Sequence, residues 1–266
     1  MNQPDNSCEP LLNTHPTNPR RFAGIGRLYG AAALTRFGQA HVCVIGIGGV
    51  GTWAAEALAR SAIGELTLID LDMVAESNTN RQIHALGDQY GRAKVEAMAA
   101  RIRDINPDAV LHLIEDFVTP ENIAQHLAPR FDFILDAIDD TRAKVAIAAY
   151  CRDRQIPLVT AGAAGGKTNP TRIAVDDLSR TTQDALLSRV RQQLRKHHDF
   201  PRDPKRKFGI AAVYSEEAMR RPLAGETECD VDGRLSCTGY GSATAVTGGF
   251  GFAAASVVLS RLAAGG

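Results

Sequence analysis

Residues 41–51 read His-Val-Cys-Val-Ile-Gly-Ile-Gly-Gly-Val-Gly, an apolar run that breaks into a glycine cluster. A run of this length before such a cluster reads as a buried parallel strand. The alanine-rich stretch that follows, Trp53 to Ala62, reads as a helix. The glycines therefore occupy a strand-to-helix turn, where they suit a phosphate. Gly46 permits the tight turn and Gly48 and Gly49 let backbone come close to a phosphate. Gly51 lets helix and strand pack closely. The helix start adds free N–H groups and the positive end of a dipole. A second strand, Glu65 to Ile69, leads to Asp70, an acid 19 residues after Gly51 and suited to ribose hydroxyls. A glycine turn without any ligand is the plain alternative.

The loop alone does not separate NAD from ATP. The next stretch, 70–82, runs Asp-Leu-Asp-Met-Val-Ala-Glu-Ser-Asn-Thr-Asn-Arg-Gln, and Lys94 then opens a helix. Asp70, Asp72, Asn78, Arg81 and Lys94 are the candidate binding residues. Two cations and two amides near the glycine loop suit a triphosphate better than a diphosphate already seated on a helix end. An NAD-dependent oxidoreductase is the reading this segment disfavours.

The phrases Gly-x-Gly-Gly-x-Gly, Asp-x-Asp-x-Val-x-x-Ser-Asn-x-Asn-Arg-Gln and Gly-x-x-Lys resemble the ubiquitin-activating-enzyme-like family, which adenylates carboxylates. The resemblance covers roughly residues 20–165 and implies ATP and Mg2+. It assigns catalytic roles to Arg27, Arg81, Lys94 and Asp139, with Asp139 as the metal ligand. The family carries an arginine in the N-terminal segment that reaches the triphosphate across a dimer interface. Arg27 is the match, with Arg21 as competitor and a solvated surface arginine as the plain alternative. A homodimer is implied by that resemblance alone.

Composition bounds the answer. The 266 residues suffice for one large domain, and 30 basic residues balance 30 acidic ones. Net charge thus predicts no polyanion partner, and no DNA is expected, although local patches remain open. The five cysteines, Cys8, Cys43, Cys151, Cys229 and Cys237, form no Cys-x-x-Cys pair. Relatives use two such pairs to hold zinc, so no structural zinc is expected. The odd cysteine count, with no secretory leader, points to the reducing cytoplasm.

The predicted order is a proline-rich, disordered lead-in over 1–20, an ATP-binding domain over 21–170, and a C-terminal extension over 171–266 packed on it. Strands at 109–114, 131–138 and 157–160 alternate with helices at 94–105, 120–127 and 141–152. This is an α/β class: a Rossmann-like, mostly parallel sheet with helices on both faces, plus a smaller C-terminal α+β part. The fourth strand ends in Asp136-Ala-Ile-Asp139-Asp140, where ligands of open α/β sheets gather. An acid there can hold magnesium, or cap the next helix.

Beyond residue 170 the pattern changes. Strands read at 171–176 and 208–214 flank a helix at 184–197. Residues 189–207 carry Arg189, Arg191, Arg195, Lys196, Arg202, Lys205, Arg206 and Lys207 against Asp199 and Asp203. The run is either a solvated face or a phosphate-backbone contact for RNA. Its one aromatic, Phe200, is a thin signal for base stacking. Cys237 is a nucleophile candidate only by loose analogy; a semi-buried thiol is the plainer reading. Residues 236–260 hold no charge, enough to span a bilayer, yet are rich in small residues. They read as a buried helix, with peripheral membrane contact as the residual alternative.

Further phrases, Arg-Phe-x-Gly-x-x-Arg-Leu-Tyr-Gly, Asn-Arg-Gln-Ile-His-Ala-Leu, Asp-Phe-Val-Thr-Pro-Glu-Asn and Gly-Ala-Ala-Gly-Gly-Lys, resemble the tRNA-acting branch of that family. They extend the likeness to nearly the whole chain after residue 20. The substrate so implied is tRNA carrying threonylcarbamoyladenosine, cyclised after adenylation of its threonyl carboxylate. An adenylyltransferase for a sulfur-carrier or ubiquitin-like protein C-terminus is the alternative, a sulfur-transfer partner protein is left open, and a non-catalytic RNA-binding module is a third reading.

Overall fold

The computed structural model describes residues 19–128, 130–203, 205–220 and 240–265. Residues 1–18 of the lead-in, with Cys8, and also Cys229 and Cys237 lie outside the described residues. Seven strands form one sheet: β1 (His41–Ile45), β2 (Glu65–Ile69), β3 (Val110–Ile114), β4 (Phe133–Asp136), β5 (Leu158–Ala161), β6 (Ile173–Asp177) and β7 (Ala211–Ser215). The order is β3-β2-β1-β4-β5-β7-β6, with only the β6–β7 pair antiparallel. The chain steps outward from β1 to β2 and β3, then returns to the other side of β1 with β4. That reversal creates the crevice where open α/β sheets bind ligands.

Helices cover both faces because the central strands are buried on both. In β1, Val42 and Val44 pack toward α2 (Ala31–Gln39), α3 (Gly51–Arg60), α4 (Lys94–Ile105) and α8 (Thr244–Ala264). Cys43 and Ile45 point the other way, toward α5 (Ile123–His126), α6 (Thr141–Arg154) and α7 (Ala185–His197). Ahead of β1 the chain forms α1 (Pro19–Tyr29) and α2, broken by Gly30 at φ 91°.

The strands expected at 171–176 and 208–214 extend the same sheet as β6 and β7. Strand β7 starts late, at Ala211, because Asp177 accepts hydrogen bonds from the N–H groups of Phe208 and Gly209 (2.9 and 2.8 Å). Helix α8 is long and apolar enough to cross a membrane by length and composition, yet half of its apolar window is buried in the protein. Its small residues explain this. A Cβ on Gly251 would lie 2.5 Å from the Val50 carbonyl oxygen and 2.7 Å from the Trp53 Cβ. Glycine there lets α8 lie directly on α3, as small-residue helix contacts do.

Candidate functional site

The glycine turn is built as the spacing predicts. Gly46 has φ 87°, and its N–H donates to the Ile69 carbonyl at the end of β2 (2.8 Å). A Cβ on Gly51 would sit 1.7 Å from the Gly46 carbonyl oxygen, so only glycine can start α3 there. A Cβ on Gly48 would meet nothing within 4 Å, so the loop is open at the position suited to a phosphate. Arg81 lies over the neighbouring Gly49, its Cγ and Cδ each 3.2 Å from where a Cβ would be. The Trp53 indole N–H donates to the Arg81 carbonyl (2.9 Å) and holds that segment against α3. Arg81 Nη1 donates to Ser77 O (2.8 Å) and Asn80 Oδ1 (2.9 Å).

Asp70 and Lys94 form the floor. Asp70 Oδ2 accepts from the Ile47 N–H (2.6 Å), and Oδ1 accepts from the Asp72 N–H (2.9 Å). Burial raises the Asp70 carboxyl above its usual range; Lys94 and the two N–H donors oppose that rise. Lys94 is buried, 2.6 Å from Asp72 Oδ2 and 3.9 Å from Asp70 Oδ1. A lysine at a helix start opposes the dipole, and two carboxylates compensate it here. Asn78 is buried in a 3-10 turn, Glu76–Asn78, with Oδ1 accepting from the Ala75 N–H (3.0 Å).

At the end of β4, neighbouring acids divide the work. Asp140 caps α6 by accepting from the Ala143 N–H (2.8 Å). Asp136 is fully enclosed, with Oδ2 held by Lys144 (2.9 Å) and the Thr160 hydroxyl (2.7 Å). Asp139 is exposed, with no side-chain hydrogen bond or ion pair among the described residues. It is the acid left available to a cation, and a single carboxylate plus phosphate oxygens is a donor set magnesium accepts.

The two N-terminal arginines also separate. Arg21 Nη1 donates to the carbonyls of Asp104 (2.6 Å) and Ile105 (2.8 Å), capping the last turn of α4. Arg27 is exposed with no such tie among the described residues, and Leu28 beside it is 74 % exposed.

Four buried polar residues near the site had no assignment from the sequence. Lys144 falls on the buried stripe of α6 with Ile147, Ala148 and Cys151, and a lysine on an apolar stripe was the available signal. Burial, and after it the Asp136 charge, pushes the Cys151 thiol up to about 12. Lys167, in the loop after β5, is buried and donates to the Ser215 carbonyl (3.4 Å). Gln82 Oε1 and both ring nitrogens of His84 are buried without a hydrogen-bond partner among the described residues. Burial, then the charges of Lys94 and Arg101, pull His84 down to about 4. The start of α8 also reaches the site: Thr244 Oγ1 donates to the Asn80 carbonyl (2.6 Å).

The basic run folds onto α7 and the turn after it. Asp184 caps α7 and also accepts from the Ala163 N–H just after β5 (2.9 Å), which anchors the helix at the carboxyl ends of the strands. Further along, Ser188, Arg191, Gln192, Arg195, Lys196 and Arg202 line an open groove of about 710 Å3. Arg195 donates to the Pro201 carbonyl (3.1 Å) and lies over the Phe208 ring. Phe200 is 2 % exposed and packs edge-on against Phe208, so the thin stacking signal read from it is removed: this ring belongs to the core.

The ThiF family profile matches residues 23–260. The chain belongs to the ThiF family. This ThiF-family chain is 49 % identical over 252 residues to the tRNA threonylcarbamoyladenosine dehydratase of Escherichia coli (strain K12), covering 92 % of this chain and 94 % of that one. It is 48 % identical to the protein of the same name from Haemophilus influenzae, over 91 % of this chain and 93 % of that one. The crystal structure of the E. coli enzyme, TcdA, in complex with ATP superposes with a TM-score of 0.84 at 48 % identity, covering 92 % of this chain and 95 % of that one. The α/β Rossmann-like fold expected of this ThiF-family chain is thereby shared with solved relatives.

Proposed function

We propose that this chain catalyses the ATP-dependent dehydration of tRNA-borne threonylcarbamoyladenosine to its cyclic oxazolone form. The observation that carries the reading is the open backbone at Gly48, set between the Arg81 stem over Gly49 and the buried Lys94 below Asp70. A nicotinamide half has no use for two cations there; a triphosphate does. The names of the two full-length relatives, and the ATP complex of one, support the same substrate pair.

The threonyl carboxylate oxygen attacks the α-phosphorus of ATP, and the bond to the bridging oxygen breaks to release pyrophosphate. Arg81 and Lys94 neutralise charge on the phosphates, and Arg27 of a second copy reaches in to join them. Asp139 would hold magnesium, which would supply further charge neutralisation at the phosphates. Next, the carbamoyl oxygen attacks the acyl carbon, AMP leaves, and the adjacent nitrogen loses its proton. Ring closure is intramolecular, so positioning and exclusion of water supply most of what it needs. No thiol takes part in these steps, and Cys237 lies outside the described residues. The exposed lysines and arginines around α7 contact tRNA phosphates. A tRNA substrate is in keeping with a cytoplasmic enzyme, and the homodimer that brings in Arg27 rests on the family resemblance alone.

Mass spectrometry of tRNA nucleosides after incubation with the chain and ATP tests this. Loss of one water from threonylcarbamoyladenosine, with one AMP and one pyrophosphate per event, is the expected result. An unchanged nucleoside, with adenylate formed instead on a protein C-terminus, overturns it.

A further inference from the structure

At the end of the sheet opposite the glycine turn, three metal-ligating side chains meet. His41 opens β1, Glu65 opens β2, and His112 lies in β3. In the parallel register His41 faces Glu65, and Thr67, two residues on, faces His112. The pleat therefore puts all four side chains on one face. Glu65 Oε1 is 2.7 Å from His112 Nε2 and 3.5 Å from His41 Nδ1. One ligand atom from each of His41, Glu65 and His112 lies within 4.8 Å of the other two. We propose that His41, Glu65 and His112 form a binding site for one divalent transition-metal ion, with zinc the best match.

The donor chemistry fits. Two imidazoles and one carboxylate are a zinc donor set, and three protein ligands leave a fourth position for water. The spacing fits as well. Zinc bonds of about 2.0–2.1 Å place tetrahedral ligand atoms about 3.3–3.4 Å apart. The 3.5 Å contact of His41 with Glu65 is already at that separation and is too long for a good hydrogen bond. The His112–Glu65 contact, 2.7 Å, would open by about 0.6–0.7 Å to reach that separation, and His112 sits on the sheet's edge strand, 48 % exposed at its side chain.

The outer shell is also in place. His41 Nε2 lies 2.8 Å from the Thr67 hydroxyl, so its far nitrogen is held and Nδ1 is aimed at Glu65. A partner of this kind on the second nitrogen is what a metal-bound imidazole requires. The His41 ring packs on Phe131 at 4.6 Å, and the backbone N–H of His41 donates to the Asp132 carboxylate (2.8 Å). Glu65 and His112 are open to solvent, which gives an ion its entry path.

The site crosslinks the first three strands and lies a strand's length, about 16 Å, from Gly46. Its contribution is to hold edge strand β3, independent of nucleotide chemistry. The expectation of no structural zinc rested on the missing cysteine pairs; the proposed site departs from that expectation, because its donors are imidazoles and a carboxylate from three strands.

Zinc titration of the chelator-stripped full chain, competed against a colorimetric chelator, tests the site. We expect one ion per chain at micromolar affinity or tighter, with the thermal midpoint rising on loading. His112→Ala and Glu65→Gln should each weaken binding at least ~10-fold, since even an outer-shell partner is worth that much. Both should also remove the zinc-dependent rise while the metal-free midpoint stays near wild type. No stoichiometric binding by the wild-type chain overturns the proposal. So does unchanged affinity in both variants, which would assign the ion to the thiols.

Discussion

The Lys94 ammonium lies 2.6 Å from the Asp72 carboxylate and 3.9 Å from Asp70, whose other oxygen holds the Ile47 N–H of the glycine turn. One lysine thus links the acid after β2 to the loop after β1. Lys94→Met keeps most of the volume and removes the charge, leaving Asp70 buried against fewer compensating partners. Urea unfolding should show a loss of about 1–3 kcal/mol, the range for an uncompensated buried polar group. ATP binding should weaken in the same variant. Asp72→Asn, at an exposed partner, should cost under about 1 kcal/mol.

Arg21 and Arg27 are expected to fail in different assays. Arg21→Ala removes the cap on the Asp104 and Ile105 carbonyls, and should lower stability by about 1 kcal/mol with adenylation largely intact. Arg27→Ala should leave the thermal midpoint unchanged, because the side chain is exposed and holds nothing among the described residues. Its adenylation rate should fall ~10³-fold or more, as for arginines that neutralise a transferring phosphoryl group. Equal losses of stability in both variants would contradict this division.

Two glycines of one turn should respond oppositely to alanine. Gly48→Ala adds a Cβ into open space, so the melting point should stay near wild type while ATP affinity falls. Gly51→Ala drives a Cβ to 1.7 Å from the Gly46 carbonyl, and the chain should lose its folded β1–α3 unit. Calorimetry with ATP, paired with thermal melts, separates the two effects.

His84 makes stability fall with acid. Its folded value of about 4 lies below the ordinary 6.5, so the unfolded chain takes up a proton first as the pH drops. Stability from this residue is present above about pH 6.5 and is lost progressively toward pH 4. Between pH 7 and 4.5 the loss is about 2–3 kcal/mol. His84→Leu should flatten that part of the pH profile in chemical denaturation, and an unchanged slope would exclude His84 as its source.

The exposed cations near the α7 groove should act on tRNA alone. Lys196→Glu and Arg202→Glu should each reduce the slope of log affinity against log salt by roughly one unit for every phosphate no longer neutralised. ATP affinity should not change, because Lys196 lies twelve residues along from the Asp184 cap, about 18 Å down the helix.

The parts of this molecule that depend on near neighbours were legible in the chain. A run of Val and Ile into Gly46–Gly51 specifies strand, turn and helix within twenty residues. The stripe from Val95 to Ile105 likewise specifies α4 with Lys94 at its head. Hydrophobic period and backbone sterics act over one or two turns, so those features need no partner. The adenylating resemblance rested on the same local motifs, and membership of the ThiF family bears it out.

Only the tertiary structure could assign roles to residues of the same type. It gave Arg21 to the end of α4 and left Arg27 outside, and it split Asp136, Asp139 and Asp140 into an enclosed ion pair, an exposed acid and a helix cap. It seated β7 between β5 and β6, and it put His41, Glu65 and His112 side by side across three strands. These outcomes are set by strand register and helix packing between segments tens of residues apart. The pattern of one segment carries no record of which residue stands opposite it.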